Sequence, residues 1–169
     1  MSRFRWAAWA AGVIVCAPLV AQDKPAPSGK ESRTAYLRRV FEKDRATYGD
    51  ACRAVLSLMK DEHTDADFGA ISADLAGRGV VSSDWNLPEA SLLTKGTLAY
   101  MLCRALELKG GLTTRLFGMS RRYALRECQH RGLITRGVTD EYVSGREMID
   151  AVTNATVFKE QGNADSQYK

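Results

Sequence analysis

Two short blocks, Arg78-Gly79-Val80-Val81 and Arg131-Gly132-Leu133-Ile134, stand 53 residues apart and constrain the fold of this chain more than any other feature. Each follows a stretch with helical apolar spacing, and each glycine is placed to close that helix in the left-handed conformation. The aliphatic pair behind it reads as a plug into a core. A loop comes next, then a second helix opened by a hydroxyl, Thr94 in one case and Ser144 in the other. The plan is thus used twice, with loops that differ by three residues. Neither unit is long enough to bury its own apolar face, so the two are expected to share one core, with Gly79 and Gly132 at matching helix ends and at positive φ.

The remaining periodicity is helical as well. Leu37, Val40 and Phe41 form one stripe, and Tyr48, Cys52, Val55, Leu56 and Met59 form another. Gly49 separates them, as the weak point of one long helix or the joint between two. Thr64, Asp65 and Asp67 offer N-cap oxygens to a helix carrying Phe68, Ile71 and Leu75. Leu98, Met101, Leu102, Ala105 and Leu106 make the strongest amphipathic pattern, which Gly110 and Gly111 should end. Ser120 opens a helix reaching Arg131. Ser144-Gly145-Arg146-Glu147 has the form of a capping box, in which Glu147 reaches back to the first amide, and Met148, Ile149, Val152 and Ala155 continue that helix. With no strand predicted, the expected fold class is all-α.

The first 21 residues read as a secretory signal: Arg3 and Arg5, then an uncharged apolar run from Trp6 to Leu19, then small residues leading to Ala21. That run is short for a membrane span. Val15 before Cys16 is larger than the small residue usual before a lipidated cysteine. Residues 22–33, with Pro25 and Pro27, read as a polar linker, 34–63 as an N-terminal helical segment, 64–156 as two repeats (64–111 and 120–156), and 157–169 as a polar tail. Two of the 24 basic residues and none of the 20 acidic ones precede residue 22, so cleavage lowers the net charge from +4 to +2. Nucleic acid therefore drops out as an expected partner, and no membrane span is expected after cleavage. The mature chain keeps Cys52, Cys103 and Cys128, all on apolar helix faces. They read as small buried hydrophobes, or as one disulfide with a thiol left over.

The stretches Leu93-Thr94-Lys95-Gly96-Thr97-Leu98 and Met101-Leu102-Cys103-Arg104-Ala105-Leu106 give the repeat a likeness. The chain resembles the S-layer homology (SLH) family of bacterial envelope domains, whose repeats are two helices joined by a loop. In that family the second helix opens with a Thr-Arg-x-Glu-like motif and ends in a Leu-x-Arg-Ala-Leu-like run, and three repeats commonly pack together. The resemblance covers residues 64–156. It implies a small helical domain of two SLH-like helix-loop-helix repeats preceded by an N-terminal helix or helix pair. It further implies an exported, periplasmic or extracellular protein that docks on an anionic cell-wall polysaccharide, with Lys95 at the family's basic position. Thr97 stands where the family has glutamate, Gly145 takes the basic position in the second repeat with Arg146 next to it, and the family's Asp-Gly-x-Phe-x-Pro loop is absent.

Chemistry-bearing residues are sparse. His63 and His130 are far apart, and the acidic group Asp61, Glu62, His63, Asp65 and Asp67 lacks the frame of a calcium loop. No nucleophile elbow, phosphate loop or zinc-spaced Cys/His set occurs, so no enzyme, metal or cofactor is expected. Arg115, Arg121, Arg122, Arg126, Arg131 and Arg136 cluster around one helix, either as anion ligands or as an ordinary solvated face. Trp85 either stacks on a sugar from its loop or folds inward between two helices. The polymer-binding candidates are Lys95, Arg104, Trp85, Arg146, Arg122 and Arg126. The alternative is a periplasmic interaction module with an apolar groove for another envelope protein.

Overall fold

Three hydroxyl residues organise the chain, because each caps a helix that runs into the core. Thr47 Oγ1 accepts from the Asp50 amide (3.3 Å), Thr94 Oγ1 from the Thr97 amide (3.4 Å) and Ser144 Oγ from the Glu147 amide (3.2 Å). The computed structural model describes residues 33–60, 66–82, 84–108 and 118–167. The expected signal and most of the linker, the acidic cluster at 61–65, the Gly110-Gly111 stop and Arg115 lie outside them. The described residues form α1 (Arg33–Phe41), α2 (Tyr48–Lys60), α3 (Phe68–Gly77), α4 (Lys95–Ala105), α5 (Arg121–His130) and α6 (Gly145–Gln167). The fold is all-helical. Among these residues the only β pairing is two isolated bridges, Thr47 with Leu92 and Thr94 with Tyr142. No described helix is long and apolar enough to cross a membrane.

The two glycine-closed helices match bond for bond. Gly79 (φ 65°) and Gly132 (φ 70°) both lie in the left-handed region. Val80 N bonds Leu75 O (2.9 Å) and Leu133 N bonds Cys128 O (2.8 Å), while each glycine amide bonds the carbonyl three residues back, the Schellman pattern. The arginine before each glycine pairs with the acid one turn earlier, Arg78 with Asp74 and Arg131 with Glu127. Val80, Val81, Leu133 and Ile134 are buried in one common core.

The chain contains a third unit of the same kind. The break in the first helical block falls at residues 42–47, and Gly49 lies inside the first turn of α2, contrary to the expectation that it marks the joint. The residues before the three caps bond in a closed ring: Ala46 N to Val143 O (2.8 Å), Val143 N to Leu93 O (3.0 Å) and Leu93 N to Ala46 O (3.0 Å). A second ring follows from the residues after the caps, with Tyr48 N on Ser91 O, Lys95 N on Glu141 O and Gly145 N on Lys43 O. Helix packing repeats the cycle. The inner helices α2, α4 and α6 touch one another, and each outer helix packs on the inner helix of the preceding unit: α3 on α2, α5 on α4, α1 on α6. The N-terminal pair thus occupies the third place in this cycle.

Two helix ends differ from expectation. α4 stops at Leu106 before the glycines, and Glu107 takes the left-handed position (φ 51°), with Leu108 N bonded to Cys103 O. Glu107→Gly should therefore stabilise the domain by about 1 kcal/mol, read as a higher denaturant midpoint, because it removes the Cβ penalty. An unchanged or lower midpoint would contradict that geometry. The segment expected as a polar tail from residue 157 continues α6 to Gln167, held by Lys159 Nζ on Leu58 O (2.9 Å) and by Arg131 over the Phe158 ring.

Candidate functional site

The first residue after each cap, where the resemblance led us to expect a cation in Lys95, is Tyr48, Lys95 and Gly145 in the three units. Tyr48 is buried, with its ring edge-on to Phe68. Gly145 lies under the backbone of Val40 and Lys43, which leaves no room for a side chain. Lys95 alone is a cation, and its side chain is only 4% exposed. Its ammonium donates to Glu141 (2.8 Å), Glu147 (3.0 Å) and the Arg136 carbonyl (3.1 Å), which uses all three of its N–H donors. Burial works against the charged form, but the two carboxylates outweigh it and hold Lys95 above its ordinary value. Lys95 therefore joins α4 to the loop before α6 and has no donor left for a ligand.

That pairing also corrects the capping box. Ser144 caps as expected, but the Glu147 carboxylate binds Lys95 and the Thr135 hydroxyl instead of returning to the first amide. A charge-assisted bond to a buried ammonium is stronger than one to an amide. The unit that does close a reciprocal box is the first one. Asp50 Oδ2 accepts from Thr47 N (3.1 Å), Thr47 Oγ1 (2.8 Å) and Lys43 Nζ (2.6 Å). Burial raises the Asp50 carboxyl, yet these bonds prevail and keep it below the ordinary carboxylate range. A group lowered on folding contributes stability above its unfolded pKa, about 3.9, and loses it as pH falls through the lower folded value. Thermal stability should accordingly drop below about pH 4, and Asp50→Asn should flatten part of that limb; an identical acid limb in the variant would contradict this role.

The other candidates are placed as follows. Arg104 caps α3 from outside, Nε to Gly79 O at 2.7 Å, and Asn154 repeats the contact on Gly132 O at 3.4 Å. Trp85 folds inward, with Tyr100 on one side (centroids 4.9 Å apart) and the Arg121 guanidinium 4.3 Å over its ring. It has a stacked cation where a sugar would lie. Arg146 lies 4.6 Å over the Phe41 ring. Both stacked guanidiniums keep their in-plane N–H donors for an anion, held in place by the aromatic face. Arg122 and Arg126 are exposed and one turn apart on α5. Helical spacing puts them on the flank that carries Gln129, whose side chain bonds Thr135 O and Gly137 O in the loop next to Arg136.

The structure thus places Arg122 and Arg126 on one flank of α5 and turns Arg121 away from them onto Trp85, while Arg104 and Arg146 lie on other elements and Lys95 is tied up beneath the loop that precedes α6. Arg121 is the residue that sequence reasoning undervalued: its partner Trp85 is 36 residues away, and no local pattern links them. Among the described residues no group of three His, Cys, Asp or Glu is arranged to hold a metal ion. No family model, curated protein or solved structure matches the chain.

Proposed function

We propose that this chain is an exported, non-enzymatic envelope protein that docks on an anionic cell-wall polysaccharide, and that the arginine flank of α5 makes the contact. The observation that carries this reading is the closed ring of three capped helix-loop-helix units, the number and plan of repeats that the SLH family packs together. The contact surface differs from the family's. With the three post-cap positions filled by Tyr48, a neutralised Lys95 and Gly145, the contact falls to Arg122 and Arg126, exposed one turn apart on α5, with Arg121 stacked on Trp85 at the start of the same helix. Guanidinium suits such anions because its N–H donors fit them two at a time.

The test is co-sedimentation of the purified chain with sacculi that retain their anionic polymer and with sacculi stripped of it. Binding should require the polymer, fall steeply with added salt and weaken roughly tenfold in Arg122→Glu/Arg126→Glu, a change equivalent to about 1.4 kcal/mol. Equal binding to both preparations would overturn the reading. A second reading, docking of another envelope protein, is favoured by Phe41, Leu92, Val138 and Tyr142, large apolar side chains that are each more than 40% exposed. Binding to envelope extract that survives Arg122→Glu/Arg126→Glu and high salt would select it.

A further inference from the structure

We propose that Cys103 and Cys128 form an intramolecular disulfide that clamps α4 to α5, leaving Cys52 as a free thiol. The two Sγ atoms are 3.4 Å apart. Each also lies 3.6 Å from a backbone carbonyl on the other helix, Cys103 Sγ from Ala124 O and Cys128 Sγ from Ala99 O. This reciprocity sets the side chains face to face across the helix pair, where the fully buried Ala99 and Ala124 let the backbones approach. Closing the gap to a bond of about 2.05 Å moves the sulfurs together by roughly 1.4 Å, within reach of small side-chain rotations. Cys52 sits on α2 beside Tyr48, and burial pushes its thiol up to about 12.

The oxidant is a disulfide compound, R–S–S–R, of the kind an oxidising compartment supplies. One cysteine thiolate attacks it and displaces RS⁻, which takes up the proton that the thiol gave. The second cysteine then attacks the mixed disulfide, and a second RSH leaves. Two cysteine thiols are oxidised to one disulfide, and one R–S–S–R is reduced to two RSH. In the folded chain both thiols are buried, and the bond from Cys103 together with burial holds Cys128 well above its ordinary range. Exchange therefore belongs to folding, before the helices close over the pair. The proposal rests on the envelope location only for the oxidant; the juxtaposition of the sulfurs is independent of it.

The reduced, unfolded full chain is refolded in a mixture of reduced and oxidised glutathione, alkylated, and digested with trypsin without reduction. The expected product is Gly96–Arg104 linked to Glu127–Arg131, lighter than the two peptides by two hydrogens, with Cys16 and Cys52 alkylated. The oxidised protein should melt roughly 10 °C above its reduced form. Alkylation of all four cysteines, or a link through Cys52 or Cys16, would overturn the proposal. Alkylating whole cells tests the other reading separately. A bond that forms on refolding while the cellular protein keeps both thiols would sustain this proposal and count against the envelope location.

Discussion

Gly145→Ala is expected to cost about 3 kcal/mol or more and to lower the melting temperature by roughly 10 °C. A Cβ at this position would overlap the Val40 carbonyl oxygen, and would lie 2.8 Å from the Val40 carbonyl carbon and 3.1 Å from Lys43 O. These neighbours are backbone, so no rotamer change relieves the overlap. The same close approach carries the Gly145 N to Lys43 O bond that joins the third unit to the first, so separating the chains there also opens the second ring. A variant melting with the wild type would show that α1 does not lie on α6 as described.

The second large effect is expected at the centre of α4. Leu102 is fully buried on a helix that touches α2, α5 and α6. Leu102→Ala should cost 2 to 5 kcal/mol, roughly the range for a buried leucine whose cavity the surroundings fill only in part. Leu106, half-buried at the C-cap of the same helix, gives the comparison, and its alanine variant should lose distinctly less. Denaturant midpoints at equal slope measure both. Equal losses would mean that the two positions are packed alike.

Much of the fold was legible because the signals that set it are local. Apolar spacing gave the helices, and Ser120, Thr94 and Ser144 cap where a hydroxyl before a periodic run should. The Gly79 and Gly132 closures were readable from glycine's tolerance of positive φ. The repeat was in fact longer than the four residues that revealed it, since Asp74 and Glu127 stand one turn before Arg78 and Arg131 in both copies. The N-terminal block reads in sequence as a helical segment laid across the two repeats and not as a unit of the same plan, although Thr47-x-x-Asp50 repeats the spacing of Ser144-x-x-Glu147. α1 ends without a glycine closure and its loop is short, so the block that advertises the other two units is missing there, and Gly49 drew attention to the wrong place.

The candidate site was less legible because its determinants are long-range. Lys95 stands where the resemblance implies a basic ligand residue, and nothing near it in sequence announces Glu141 and Glu147, more than forty residues away. Their arrival makes that cation a structural tie. For Trp85 the sequence leaves two outcomes open, and the one realised depends on Arg121 and Tyr100, each contributed by a different helix. The end of α4 shows the same limit on a small scale. The helix closes at Glu107 in spite of the Cβ penalty, because Leu106 and Leu108 pack against the core, an arrangement that propensity alone does not favour.

Both the architecture and the function inferred from it rest on the three units closing into a ring, and amide hydrogen exchange at Ala46, Leu93 and Val143 tests that closure most directly. Each of these amides is the donor of one ring bond. The three should exchange slowly and with similar sensitivity to denaturant, since all three amides are buried where the three units meet. Fast exchange at Ala46, with protection retained only at Leu93 and Val143, would mean that the N-terminal pair is an appendage to two repeats and that no ring exists.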